Sequence, residues 1–297
     1  MSFSSFIKGL AALIVLTVMG ATVWWVWKVN RDIATVELES TVMLDRLESK
    51  ELPDVEPGDR AFQRAIELIA TGELEAAKEK LHFIVNFSPG SAAAREARRI
   101  LGEVHLDELF IGKNDRGRTI HTVEKGDAPF ALAKQYETTL DCMMALNGMY
   151  DLQIHPGDEL AMLALNFSLR IDVGKDTITL RRMVSEEPRR DEFVKEYEIV
   201  RYRLNSLSQN LTVAKVENKY GLRDGKPLNT LSDDYRSASK VVIVKKGKTV
   251  WQIRSMPAEG DELPEGNGFF LAPHDMEELA VLLRVGNRVE IVKDQKE

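Results

Sequence analysis

The sequence predicts an α+β protein made of several small domains behind an apolar N-terminal segment. A chain of 297 residues is long enough for two or three such domains. Between Ala61 and Leu109 the apolar residues recur every three or four positions, which is the period of a helix. Beyond Leu165 they alternate, which is the period of a strand. Because apolar residues make up 44% of the chain and charged residues 29%, folded structure is expected rather than disorder.

Charge and cysteine content exclude several classes of function. The formal net charge is -7 and the pI about 5.5, whereas a general nucleic-acid binder needs a basic face. Cys142 is the one cysteine, so neither an intramolecular disulfide nor a cysteine-rich metal site can form. The histidines lack metal-ligand spacing, and we expect no metal and no cofactor. They are His82, His105, His121, His155 and His274.

The N-terminal segment predicts a membrane anchor. Gly9 to Trp27 carries no charged residue, and a helix of about 19 such residues would cross roughly 28 Å of hydrocarbon. Its tryptophans gather at one end, where aromatic rings favour the headgroup region. We therefore expect a cytoplasmic stretch at 1–8 and a transmembrane helix at 9–28. A cleaved signal peptide is the alternative, although the segment offers no good cleavage site.

A stalk and a helical region are predicted next. Residues 29–59 are acidic and contain two prolines, which is typical of a solvated spacer. Residues 60–110 predict helices with breaks near Gly72 and Pro89, and this spacing resembles a tetratricopeptide unit. Only about one and a half repeats are present, and solenoids need three or more. We expect a small helical hairpin packed on its neighbours or on another copy. A groove for an envelope protein partner is the alternative.

The segment 119–164 predicts a strand, two helices and a second strand. His121 begins an alternating strand, and Asp127 is placed to cap the first helix, which has a proline in its first turn. Thr138 or Thr139 can cap the second helix, from Leu140 onward. The chain then turns at a Pro-Gly-Asp sequence into the last strand.

This segment resembles the LysM domain, a module that binds N-acetylglucosamine-containing glycans, chiefly peptidoglycan or chitin. The departures from the family pattern are mild: Ala128 stands for Thr, Pro129 for Leu and Phe130 for Trp. The residues that match in register are Thr122, Val123, Gly126, Asp127, Phe130, Leu132, Ala133, Met143, Leu146, Asn147, Gly148, Ile154, Pro156, Gly157 and Leu160.

The LysM resemblance implies a glycan groove between the first strand–helix loop and the second helix–strand loop. Backbone amides in such loops can reach N-acetyl groups, and apolar edges can meet the sugar methyl. The alternative is that Gly126, Asp127 and Asn147 are only turn and cap residues. Ala128 lacks the hydroxyl that the family has there. The implied glycan-binding residues are Gly126, Asp127, Ala128, Asn147, Gly148, Met149, Leu152, Gln153 and Ile154.

The mostly-β region 166–293 resembles an L,D-transpeptidase of bacterial cell walls. Its alternating strands near Ile171 and Ile178 fit the start of that family, and the fit improves towards the end. There Gly268 is followed by Asp275, and then by a Val-Gly turn and a Val-x-Ile strand. The resemblance implies a transpeptidase-like fold for this domain.

The catalytic residues of that family are missing. Its enzymes use a cysteine thiolate activated by a histidine. Here Phe269 stands at the nucleophile's position, Asn267 at the histidine's and Leu271 at the arginine's. Arg254 occupies the upstream histidine position, and Cys142 belongs to another domain. We therefore expect a catalytically dead domain that acts as a scaffold or a ligand-binding module.

The preferred interpretation is a non-enzymatic protein that binds peptidoglycan through its LysM domain. It would be a single-pass protein of the cytoplasmic membrane, with its soluble part in the periplasm or cell-wall space where that glycan lies. Two alternatives stay open: a protein-interaction adaptor of the envelope, and an active peptidoglycan-modifying enzyme of another type. The sequence leaves the glycan affinity, the protein partners and the oligomeric state undetermined.

Overall fold

The computed structural model describes residues 24–25, 27–28, 58–111, 117–184, 191–205, 210–258 and 260–293. The chain divides into two units, Met1–Asp59 and Arg60–Glu297. In the first unit the described residues before Gly58 are Trp24, Trp25, Trp27 and Lys28, which are helical with exposed side chains. The second unit carries the remaining helices and strands.

The predicted transmembrane helix at 9–28 is corrected by the structure. Across the residues that the structure describes, no helix combines the length and the apolar character needed to cross a membrane. The predicted cytoplasmic stretch 1–8, most of 9–28 and most of the stalk 29–59 lie outside the described residues. The same finding contradicts the single-pass membrane localisation, which is set aside.

Three helices follow: α1 (Asp59–Ala70), α2 (Leu74–Phe87) and α3 (Ala92–Phe110). The predicted breaks are confirmed, and the helices bury the faces on which their apolar residues recur. Ser91 caps α3, because its hydroxyl accepts the backbone N–H of Ala94 at 3.1 Å. The three helices share a small core of Ala65, Leu81, Ile84, Ala93, Ala94, Ala97 and Leu101.

The next elements are β1 (Arg118–Thr122), α4 (Pro129–Gln135), α5 (Leu140–Leu146) and β2 (Glu159–Leu163). β1 and β2 pair antiparallel, with His121 opposite Leu160. Thr139 caps α5, and Ala128 is the residue before α4. Together these elements form the predicted βααβ module. Its core consists of Val123, Leu132, Ala133, Leu140, Met143, Leu160 and Met162.

A ten-stranded sheet and one helix make up the rest of the described chain. The strands are β3 (Phe167–Asp172), β4 (Thr177–Arg182), β5 (Glu192–Glu198), β6 (Arg201–Arg203), β7 (Leu211–Arg223), β8 (Lys226–Leu228), β9 (Ser239–Lys246), β10 (Thr249–Ser255), β11 (Asn267–Leu271) and β12 (Arg288–Val292). A short 3-10 turn, Asp233–Tyr235, precedes β9, and α6 (Pro273–Val281) follows β11.

The strand order is β5-β4-β3-β12-β7-β9-β10-β11-β6, with β8 paired to β7. The pairs β3–β12 and β10–β11 are parallel, and the other pairs are antiparallel. α6 packs on β9 and β10 and buries Met276, Leu279 and Ala280. The predicted mostly-β C-terminal region is therefore one mixed sheet.

Helix α3 covers the edge strand β5 through charged contacts. Nζ of Lys195 lies 2.9 Å from Glu103 on α3 and 2.8 Å from Glu278 on α6. Burial alone would lower the pKa of Lys195, but the bonds and charges of Glu278 and Glu103 outweigh it and the pKa is raised. Gly102 permits this approach, because a Cβ there would lie 2.9 Å from Cγ of Lys195. The helical region is thus fixed to the sheet.

Candidate functional site

The first loop of the βααβ module is held by the side chain of Asp127. Its Oδ2 accepts the backbone N–H of Glu124 at 2.8 Å and lies 2.8 Å from Nε2 of His121. These two bonds lower the pKa of the Asp127 carboxyl, and the bond from Glu124 has the larger effect. The prediction that Asp127 caps α4 is wrong: Ala128 occupies the cap position, and no side-chain bond is made there. Gly126, with φ of +104°, makes the turn.

The second loop begins at Asn147, whose side chain is used to join two elements. The amide nitrogen donates to the carbonyls of Met143 and Ala161, each at 2.8 Å. The amide oxygen accepts the N–H of Ala161 at 2.7 Å. Asn147 therefore ties the end of α5 to β2. Gly148 follows with φ of +61°, which favours glycine.

A cleft of about 770 Å³ lies between the second loop and the C-terminal sheet domain. Of the predicted glycan-binding residues, Gly148, Met149 and Leu152 line it, whereas the first-loop residues, Asn147, Gln153 and Ile154 do not. We call it the junction cleft. Its full lining is Asp141, Met144, Ala145, Gly148, Met149, Tyr150, Asp151, Leu152, Thr230, Leu231, Ser232, Tyr235, Arg236, Lys240, Glu277 and Val281.

Arg236, from the segment before β9, contacts the second loop directly. Its guanidinium donates to the carbonyl of Met149. Its Cζ lies 5.4 Å from the ring centroid of Tyr150, within the range of a cation–π contact. Sequence reasoning missed both Arg236 and Tyr150. Tyr150 had a local signal, because it follows Met149 within a predicted binding loop, whereas nothing in the sequence connects Arg236 to that loop.

A buried ion pair forms the base of the junction. Oδ2 of Asp141 on α5 lies 2.8 Å from Nζ of Lys219 on β7, with the side chains 10% and 7% exposed. Lys219 also donates to the carbonyls of Ala280 and Leu283 at 2.7 and 2.9 Å. The hydroxyl of Tyr235 donates to the same Asp141 oxygen at 3.4 Å. Burial, followed by the charge of Asp141, raises the pKa of Tyr235.

The expected position of a catalytic nucleophile lies inside the sheet. Phe269 is in the middle of β11, opposite Ile253 of β10, and is fully buried. The oxygen of the Asn267 side chain accepts the N–H of Asn205 at 2.8 Å. Burial lowers the pKa of Arg254, which lines a second cleft of about 500 Å³. Phe269 does not line that cleft.

The chain's thiol is also inaccessible. Cys142 is fully buried in the main core, and burial raises its pKa to about 12. It is therefore a protonated thiol at neutral pH. His274 is exposed, and its Nδ1 lies 3.9 Å from Oδ1 of Asp275. Among the described residues, no group of three or more His, Cys, Asp or Glu side chains could hold a metal ion.

Residues 121–162 match the LysM domain family. This segment is therefore a LysM domain, as its resemblance to the family pattern implied, and the match includes both loops described above. No curated protein matches the chain.

Three solved structures are similar to parts of the chain. One is a fused Zn-dependent amidase/peptidase/peptidoglycan-binding domain-containing protein from Clostridium acetobutylicum, at 10% identity and a TM-score of 0.27, covering 42% of this chain and 51% of that one. The second is Bdellovibrio bacteriovorus Bd1075, at 8% identity and a TM-score of 0.30, covering 43% of this chain and 46% of that one. The third is a mutant L,D-transpeptidase from Enterococcus faecium, at 14% identity and a TM-score of 0.27, covering 59% of this chain and 73% of that one. The chain thus spans about half the length of the first two.

Proposed function

We propose that this protein binds peptidoglycan through its LysM domain and resides in the bacterial envelope. The observation that carries the proposal is the LysM match over residues 121–162. The open second loop supports it, because Tyr150 is 89% exposed and Met149 and Leu152 line a cleft large enough for a sugar ligand. The ligand class is an N-acetylglucosamine-containing glycan.

We propose further that the C-terminal domain performs no transpeptidation. Acyl transfer of that type needs a thiolate and a base within hydrogen-bond reach. Phe269 has no ionisable atom and is buried in the sheet, which supports the proposal. Arg254 stays protonated at working pH and cannot act as the base. The domain then serves as a rigid support for the LysM domain and for the helical region.

Sedimentation with purified peptidoglycan tests the binding. The protein should pellet with insoluble peptidoglycan and stay in the supernatant without it. An excess of a soluble oligomer of N-acetylglucosamine should release it, because both ligands would use the same loops. Absence of pelleting, or pelleting that the oligomer leaves unchanged, would contradict the proposed ligand.

Incubation with tetrapeptide-bearing muropeptides tests the second part. Mass spectrometry should find the substrates unchanged after incubation, as in a sample without protein. A cross-linked or stem-exchanged product would show that an acyl-transfer site exists elsewhere in this chain.

An adaptor role for the helical region is a second candidate, favoured by exposed aromatic side chains on α2. Phe83 and Phe87 are exposed and stack with ring centroids 4.6 Å apart. Contiguous exposed apolar surface is a feature of protein contact sites, and this aromatic pair would form the centre of one. Capture of an envelope protein that survives digestion of the glycan, and that is lost in Phe83→Ser/Phe87→Ser, would favour it. Capture that ends with the glycan would not.

A further inference from the structure

The junction cleft has two walls from different parts of the chain. One wall belongs to the LysM domain and includes Tyr150 and Leu152, and the other belongs to the C-terminal domain and includes Leu231 and Glu277. We propose that the glycan site is composite, with an N-acetylated sugar of the peptidoglycan strand held between these walls. This inference rests on the proposed function and adds the C-terminal domain to the site.

The geometry keeps the cleft open rather than filled. Arg236 holds the second loop by the Met149 carbonyl and lies over one face of the Tyr150 ring. The Tyr150 side chain nevertheless remains 89% exposed. With Arg236 over one face, the other face of the ring is a flat apolar surface that a sugar can contact. The bond of Arg236 to the Met149 carbonyl also ties down the loop backbone, so less entropy is lost on binding than with a mobile loop.

The lining matches the chemistry of an N-acetylated sugar. Such a sugar has hydroxyl and amide donors on its edges, a methyl group and an apolar ring face. The cleft offers carboxylate acceptors in Asp151 and Glu277, and apolar contacts from Met144, Leu231 and Val281. Ligand sites combine an apolar lining with a few placed polar groups in the same way.

Asp141 supports a ligand in the cleft independently of the lining. Its side chain lines the cleft and is nine-tenths buried, and its Oδ2 is paired with Nζ of Lys219. Its Oδ1 is buried without a hydrogen-bond partner. A buried carboxylate oxygen without a hydrogen-bond donor destabilises the fold, because it has lost its hydrogen bonds to water and no protein donor replaces them. A hydroxyl or acetamide N–H of a bound sugar would supply that donor after a small movement of the wall.

The sharpest test changes the C-terminal wall alone. In the full chain, Leu231→Ala should bind a soluble oligomer of N-acetylglucosamine about fivefold more weakly in calorimetric titration, since an apolar side chain no longer covers the ligand. Leu211→Ala is the matched control, because Leu211 is similarly exposed, at 49% against 54%, and lies on β7 away from the cleft. It should bind like the wild type. Tyr150→Ala should lower the affinity for the oligomer about tenfold. Tyr202→Ala, at an exposed tyrosine that does not line the cleft, should leave the affinity unchanged.

The direction of the Arg236→Ala effect separates a composite site from a blocked one. A composite site predicts weaker binding, because the second loop loses its support. Tighter binding would show that Arg236 closes the groove, and would overturn the inference.

The failure of the inference can be told from the failure of the proposed function. If Leu231→Ala binds like wild type while Ala128→Arg in the first loop abolishes binding, the LysM domain binds glycan without the C-terminal wall. If the wild-type chain binds neither the oligomer nor peptidoglycan, both the inference and the proposed function fall.

Discussion

The two loops of the LysM domain are held in different ways. The first loop is held from within the module, by Asp127 on the N–H of Glu124 and on His121. The second loop is contacted from outside the module, by Arg236 at the Met149 carbonyl. The helix before it is anchored by Lys219 at Asp141. One half of the predicted groove therefore depends on the LysM sequence, and the other half also depends on a domain that follows it in the chain.

The core packing supports the same distinction. Val123, Leu132 and Met143 form the module's own small core. Cys142 and Leu163 instead belong to the large core of the sheet domain. The LysM domain thus has a small core of its own, and a second face of the module packs into the core of the sheet domain. Substitutions at the shared face should affect the whole 60–297 unit, whereas those in the first loop should stay local.

Breaking the shared face should have the largest effect. Lys219→Met leaves Asp141 charged, buried and unpaired, and should lower the free energy of unfolding by about 3–5 kcal/mol. Urea denaturation of the full chain measures it. Lys245→Met is the matched control, since Lys245 pairs with Glu217 at 3.0 Å but the two side chains are 42% and 54% exposed. Lys245→Met should lower the free energy of unfolding by less than about 1 kcal/mol. Equal costs would show that the junction pair does not anchor the module.

Removing the tie between α5 and β2 should have an intermediate effect. Asn147→Ala deletes the side-chain amide that bonds both backbone groups of the buried Ala161. The Met143 carbonyl keeps the backbone N–H of residue 147 as a donor. A loss of about 1–3 kcal/mol is expected in urea denaturation. Asn210→Ala, at an exposed position, should cost almost nothing. If Asn147→Ala weakened glycan binding at unchanged stability, Asn147 would be a ligand contact rather than a tie.

The first loop should give the smallest effect, visible only in acid. The pKa of Asp127 is lowered from 3.8, so its contribution to stability is present above pH 3.8 and is lost as pH falls through the lower folded-state value. Asp127→Asn should therefore flatten the fall of stability below about pH 4. Asp261→Asn, an exposed carboxylate, should leave that fall unchanged. Denaturation curves between pH 5 and 2 decide it, and an unaltered profile for Asp127→Asn would contradict the assigned bonds.

The LysM domain could be predicted because its signals are local. Gly126, Thr139 and the Pro156-Gly157 turn act on residues two to four positions away, so they predict the order strand, helix, helix, strand. The resemblance of the same segment to the family pattern then implies the LysM domain. Asp127 shows the limit of this reasoning. A carboxylate just before a helix suits a cap, but a backbone N–H three residues upstream was nearer in the folded loop. Two local partners competed, and the sequence does not rank them.

The junction cleft could not be predicted, because its walls meet only after folding. Leu231 and Glu277 lie far from Tyr150 in sequence, and no periodicity connects them. Strand β11 is not among the predicted strands, although Phe269, Phe270 and Leu271 form a continuous apolar run that is typical of a strand covered on both faces. All three side chains are buried.

The most direct test of the account is an NMR titration of the full chain with a soluble oligomer of N-acetylglucosamine. Saturable shifts should appear at Met149 and Tyr150 in the second loop and also at Leu231 and Arg236 in the C-terminal domain. That pattern would place the sugar between the two walls. Shifts confined to Gly126 and its neighbours in the first loop, or no shifts at saturating oligomer, would contradict the account.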